Sequence, residues 1–259
     1  MPGVTRSLQR LARIGKHVVR SFYHRSSRIF SEGCEIPILT YHQVGSETVS
    51  DFPSIYISKD DFEKHIEWLC ENGYRFVSID EVLKNISQKK KDENKRVVLT
   101  FDDGYEGVYQ YAFPVLKRRQ LTATIFLIPD KLGKIEKFSY LNVSQIQEMA
   151  NYGFEIGSHS LTHQDLTLIE EADLKREIFD SKKRIEDLTS RPCSHFCYPY
   201  GKWNHEVQNK VREAGYKSAS SSVFGRWNNV ENLFALKRIG VGYRQTLPEL
   251  WCQLEIISW

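Results

Sequence analysis

From residue 36 onward, short apolar runs alternate with amphipathic stretches, and this alternation restricts the chain to βα units around a mainly parallel sheet. Residues 36–41 read as the first strand. A helix over 59–71 follows, turning Phe62, Ile66 and Leu69 inward behind a Ser58 cap. A second short helix is expected at 79–86, then a charged surface loop at 87–95. The apolar run Arg96-Val97-Val98-Leu99 opens the next strand, and further strands are expected at 122–128, 154–156, 196–198, 216–220 and 236–241. Between them the spacing predicts helices over 106–119 (interrupted at Pro114), 144–151 (broken by Gly153) and 170–188. The last of these aligns Leu174, Ile178, Ile185 and Leu188 on one face, and a helix over 248–258 closes the domain. There is no internal repeat and no low-complexity linker.

Two polar motifs sit where apolar strands end. Thr100-Phe101-Asp102-Asp103-Gly104-Tyr105 places adjacent carboxylates at a strand end, where a glycine lets the chain turn out and both side chains can swing toward one crevice. Gly157-Ser158-His159-Ser160-Leu161-Thr162-His163 follows Phe154-Glu155-Ile156 and offers two imidazoles. One carboxylate with two imidazoles is a facial donor set for a divalent metal with open positions, and it suits a hydrolytic zinc site. The second carboxylate is then free to act as a base. Taken singly, the first motif reads as a capped turn and the second as solvated loop histidines. Their joint placement at strand ends favours the site.

The pair, followed by Tyr198-Pro199-Tyr200-Gly201, resembles the polysaccharide deacetylases of the NodB-homology type, whose signature is T-F-D-D-G, then H-[ST]-x-x-H, then a loop ending in P-Y. The resemblance runs over about residues 36–245. It implies an α/β fold, a distorted (β/α) barrel of about seven parallel strands, with the metal at the C-terminal strand ends. It also implies Asp103, His159 and His163 as ligands of one divalent ion, zinc being expected, and Asp102 as the base. The backbone N–H of Tyr200 would complete an oxyanion site.

Two departures matter. Many relatives carry an arginine two residues before the motif proline, where Cys197 stands here; Arg238, in Leu236-Lys237-Arg238-Ile239, could bring a guanidinium to Asp102 instead. The usual late histidine, which protonates the leaving amine, is also missing, since the last histidine is His205. The chain offers His42 at the end of the first strand, as in the permuted subgroup that resembles the bacterial poly-N-acetylglucosamine deacetylases, and His42 is the expected acid. His17, His24, His65, His195 and His205 lack such context and carry no assignment. Trp203, just past the third motif, is placed to stack on a sugar face or to pack on the surface.

The expected activity is metal-dependent removal of N-acetyl groups from a sugar in a glycan or glycolipid, releasing acetate. Two other classes compete. A glycan-binding module without catalysis would need neither the carboxylates, the histidines nor the acid. A metal phosphatase using Asp102 or Asp103 as nucleophile commonly wants Asp-x-Asp spacing and a lysine-marked second site.

Composition bounds the remainder. With 259 residues, 41% hydrophobic and 27% charged, the chain has a globular balance, and no apolar run approaches the ~20 residues of a membrane span. Five cysteines at irregular spacing (Cys34, Cys70, Cys193, Cys197, Cys252) read as reduced, packed thiols. The net charge is +3, yet seven Lys/Arg and no acid precede Glu32. With Leu8, Leu11, Ala12, Gly15, Val18, Val19 and Phe22 at helical spacing, residues 1–33 form a basic amphipathic segment ahead of a deacetylase domain at 34–259. That segment suggests peripheral contact with anionic membrane from the cytoplasmic side or a targeting segment rich in Arg and Ser, or alternatively a helix docked on the domain; it lacks the apolar core of a secretory signal. The expected partners are an N-acetylated glycan or lipid-linked sugar, and not nucleic acid.

Overall fold

The computed structural model describes residues 34–46, 55–88, 94–242 and 245–256. The basic segment expected before residue 34 and the middle of the charged loop lie outside them. The strands are β1 (Ile38–Tyr41), β2 (Gln43–Gly45), β3 (Tyr56–Ser58), β4 (Arg75–Phe76), β5 (Arg96–Phe101), β6 (Thr124–Leu127), β7 (Glu155–Ser158), β8 (His195–Cys197), β9 (Ser218–Phe224) and β10 (Leu236–Gly240). Around the barrel the order is β1-β10-β9-β8-β7-β6-β5, and pairing of β1 with β5 closes it. All seven strands run parallel, β4 extends the start of β5, and β2–β3 form a separate parallel pair.

The helices are α1 (Lys59–Glu71), α2 (Ile79–Gln88), α3 (Phe113–Arg118), α4 (Val143–Tyr152), α5 (Glu171–Thr189), α6 (His205–Glu213) and α7 (Leu247–Trp251). Ser58 caps α1 by accepting the Asp61 N–H at 3.0 Å, and Phe62, Ile66 and Leu69 are fully buried. A capping box of Asn142 and Gln145 starts α4, and Gly153 ends it with a left-handed φ of 119°. The expected helix over 106–119 is instead a wide π turn (Val108–Ala112) leading into α3, with Pro114 in the first turn, where its missing N–H costs nothing. The helix expected at 248–258 is likewise short and continues as a second π turn (Cys252–Ile256).

Strand parity sorts the core into two clusters. Leu39, Tyr41, Leu99, Phe101, Ile125, Leu127, Ile156 and Phe196 face outward and pack with helix residues such as Phe62, Leu116, Ile146 and Ile178. Ile38, Val98, Phe126, Cys197 and Leu236, from five barrel strands, meet inside, and α2 covers the base with Ile79, Val82 and Ile86. Phe126 fills the middle of the barrel: a Cβ on Gly157 would lie 2.6 Å from its ring, so a glycine is required beside it. The five cysteines are free thiols. Among the described residues no helix is long and apolar enough to cross a membrane.

Candidate active site

The same parity aims the functional side chains. On β5, Val98 and Thr100 face the interior, and Asp102, one step past the strand, keeps their direction. Asp103 would point away, but its φ of 70° and that of Gly104 at 74° turn the chain, so both carboxylates line one cavity of about 540 Å³. His42 after β1, His159 after β7, Tyr200 after β8 and Arg238 on β10 line it too. A larger depression of about 750 Å³, between Pro129 and Leu188, holds no comparable donor set.

Three donor atoms converge. His159 Nδ1 pairs with the Cys197 carbonyl at 2.7 Å; as the donor there, it leaves Nε2 bare and 3.4 Å from Asp103 Oδ1. His163 Nε2 lies 3.5 Å from the same oxygen. Burial pushes the His163 imidazole down to about 4, helped by the neighbouring His159, which keeps it neutral and able to ligate near pH 7. The loop between the two histidines is held from below by Glu177, fully buried in α5. Its carboxylate accepts the Leu161 and Thr162 N–H groups, each at 2.9 Å, and the Thr162 hydroxyl at 2.6 Å.

Asp102 is engaged differently. Arg238 grips both of its oxygens, at 2.8 and 2.7 Å, while donating to the Ser221 carbonyl at 3.0 Å and lying 3.1 Å from Cys197 Sγ. Burial alone would raise the Asp102 carboxyl, but the guanidinium charge and its hydrogen bonds outweigh it and hold the group well below the usual carboxylate range. Asp102, His159 and Cys197 also stand close enough to share an ion. Burial raises the Cys197 thiol far above its ordinary value, however, and the guanidinium between thiol and carboxylate repels a cation. The donor set that fits a divalent ion is therefore Asp103, His159 and His163, whose ligand atoms lie within 4.8 Å of one another.

The remaining expected residues divide. His42 stands at the rim with Nε2 3.9 Å from Asp102 Oδ2. Tyr200 adopts a left-handed φ of 58° and sets its ring against His163, centroids 4.7 Å apart. Trp203 is not among the residues lining the cavity; it stacks on Tyr198 and packs against the outer core. Thr40, Ile55, Ser221, Ser222 and Gly240, given no role by the sequence, also line the cavity. Glu177 could have been noticed, as a carboxylate within the apolar stripe of Leu174, Ile178 and Ile185.

Residues 89–219 match the family model of the polysaccharide deacetylases. The chain belongs to the polysaccharide deacetylase family. The Bacillus subtilis protein YxkH is 33% identical over 207 residues, 80% of this chain and 71% of that one. The poly-β-1,6-N-acetyl-D-glucosamine N-deacetylase of Staphylococcus aureus is 28% identical over 173 residues, 62% of this chain and 59% of that enzyme. The solved structure of the Streptococcus pyogenes deacetylase PplD, in complex with acetate, superposes with a TM-score of 0.78 at 26% identity over 86% of this chain and 99% of its own. IcaB from Ammonifex degensii, at 24% identity and a TM-score of 0.72 over 87% of this chain and 98% of its own, shares the fold. As a polysaccharide deacetylase of this barrel type, the chain carries its carboxylates and histidines at the strand ends where barrel chemistry resides.

Proposed function

We propose that this deacetylase is a metal-dependent N-deacetylase acting on an N-acetylated amino sugar within a glycan or glycolipid. The observation that carries the reading is the convergence of His159 and His163 Nε2 on one Asp103 oxygen beside a second carboxylate that is already fully paired. Zinc is the ion this donor set suits. A divalent ion held there would polarise the acyl oxygen and acidify the attacking water, which suits a base as weak as Asp102.

Arg238 keeps Asp102 ionised and fixes its orientation, so the carboxylate stands ready to accept a proton at neutral pH. His42, on the open side of Asp102, supplies the proton that the departing amine requires. The backbone N–H of Tyr200, at a left-handed turn on the cavity wall, would meet developing negative charge on the acyl oxygen. Support for an amino-sugar substrate comes from the printed activity of the staphylococcal relative. Acetate release from acetylated chito-oligosaccharides and from poly-β-1,6-N-acetylglucosamine, measured alongside metal content, tests the reading. Metal-loaded protein that binds these glycans and releases no acetate from either would overturn it. The basic segment before residue 34 supports a position on anionic membrane through its charge pattern alone. Equal partition onto anionic vesicles with and without residues 1–31 would remove that part.

A further inference from the structure

The base of the barrel carries a second cluster, made by the opposite ends of two of the strands that build the active site. Glu155 opens β7, His195 opens β8, and Asp80 lies in the first turn of α2. They line a cavity of about 420 Å³ together with Lys217 and Thr189. His195 is only 2% exposed, and its Nε2 has no hydrogen-bond partner. That atom faces two carboxylates, 3.5 Å from Asp80 Oδ1 and 3.9 Å from Glu155 Oε1.

The surroundings orient each of these groups. His195 Nδ1 pairs with Ser218 Oγ at 3.0 Å, which directs Nε2 at the carboxylates, as the Cys197 carbonyl directs His159 at the other end. Glu155 commits Oε2 to the Ile79 N–H (3.1 Å) and the Thr124 hydroxyl (2.7 Å), leaving Oε1 turned toward His195. In the tautomer whose Nδ1–H donates to Ser218 Oγ, the Nε2 lone pair confronts two carboxylate oxygens with no proton between them. Such an arrangement is repulsive unless a cation sits between them. Lys217, whose ammonium lies 3.1 Å from both Asp80 oxygens, satisfies Asp80 alone and reaches neither His195 Nε2 nor Glu155 Oε1 by any contact among the described residues.

We propose that Asp80, Glu155 and His195 form a second divalent-cation site, distinct from the catalytic one, which ties α2, β7 and β8 together at the base of the barrel. One imidazole nitrogen and two carboxylate oxygens suit a borderline transition ion such as Zn²⁺, with water completing the shell from the cavity. Lys217, half-exposed on a flexible stem, swings off Asp80 when the ion enters, and its competition makes this the weaker of the two sites.

The test is a calorimetric Zn²⁺ titration of the full chain, stripped by chelator and kept reduced. Wild type should bind two equivalents. His163→Ala should retain only the weaker one and Asp80→Asn only the tighter one, and the double variant should bind none. Asp80 is exposed, so Asp80→Asn spares the fold and should leave acetate release unchanged; His195→Gln repeats the loss from the buried side. Zn²⁺ should also raise the melting temperature of His163→Ala, and not that of the double variant. A single wild-type equivalent lost in His163→Ala, or a second equivalent persisting in Asp80→Asn and so bound adventitiously, would overturn the proposal. A single equivalent lost in Asp80→Asn and kept in His163→Ala would support this site and count instead against the catalytic ligand set.

Discussion

Strands β7 and β8 each end in polar residues at both extremities, and the two ends are built on opposite terms. At the C-terminal end, His159 follows β7 and Cys197 closes β8, and the groups around them sit in bent backbone: Asp103, Ser160, His163 and Tyr200 have φ between 58° and 71°. Of the described non-glycine residues, only Gln120 and Ser190 share that conformation elsewhere. At the N-terminal end, Glu155 and His195 occupy ordinary strand positions. Left-handed backbone at non-glycine residues costs of order 1–3 kcal/mol each, and it persists where the surroundings impose it. In the histidine loop, Glu177 and Ser160 do the imposing. Phe126 beside Gly157 separates the two ends, with Arg238 5.8 Å above its ring. The same inward face of a strand can thus hold a strained catalytic set and a relaxed cluster of similar residue types.

The comparison breaks first at Asp102. Asp102→Asn should lose on the order of 10²–10⁴-fold in turnover while keeping the metal bound at Asp103, His159 and His163. Acetate-release kinetics with parallel metal analysis check this; near-normal turnover would mean that the base lies elsewhere. Because Arg238 holds this carboxyl below its usual range, it stays deprotonated as pH falls to ~4. Any acid limb seen above that pH must therefore come from another group. His42→Ala is the next largest effect, about 10²-fold in turnover with metal content unchanged. A general acid works while protonated, so the variant should lose the alkaline limb of the pH profile. An intact alkaline limb would assign the amine's proton to something other than His42.

How much of this was legible in the sequence follows from what each region rests on. Strands β1, β5 and β6 and helices α1 and α5 are carried by dense apolar periodicity, and their bounds fall within a residue or two of expectation. Strand β9 runs on to Phe224 through Ser220-Ser221-Ser222, because inward serines facing the cavity give no apolar signal. The β2–β3 pair and β4 are too short to show a period. At the catalytic end, Asp102, Asp103, His159 and His163 are readable because they are contiguous motifs, and Arg238 because one position lacked its expected partner. Glu177 showed only as a carboxylate within an apolar stripe, its partners Leu161 and Thr162 lying in the preceding loop without a motif of their own. The Asp80–Glu155–His195 cluster was not readable, since it joins residues far apart in sequence that only the fold brings together.

Glu177 sharpens the contrast by showing what strained ligands require. Glu177→Gln places an amide where three donors from the histidine loop converge, so at least one loses its acceptor. Metal at the catalytic end should bind about 10-fold more weakly, the scale typical of losing an outer-shell partner. The base of the barrel should keep its own affinity. Competition titration with a zinc chelator in the Asp80→Asn background isolates the effect, and an unchanged dissociation constant there would show that the loop holds its shape without Glu177.

The smallest effect is expected at the relaxed end, and it tests whether orientation matters there at all. Ser218 is the partner of His195 Nδ1, at 3.0 Å and fully within the core. Ser218→Ala removes that hydroxyl, and the net loss of one such hydrogen bond is ~1 kcal/mol of stability. Deacetylation should be untouched, because neither Ser218 nor His195 lines the catalytic cavity. The informative readout is the weaker Zn²⁺ equivalent. If the hydroxyl fixes the tautomer that exposes Nε2, Ser218→Ala should weaken that equivalent roughly 10-fold, in parallel with Glu177→Gln at the other end. The imidazole is wedged by burial as well as by its hydrogen bond, so an effect confined to stability would mean that packing alone aims the ring. The two ends would then differ in kind: one positioned by a network of donors, the other by the barrel wall.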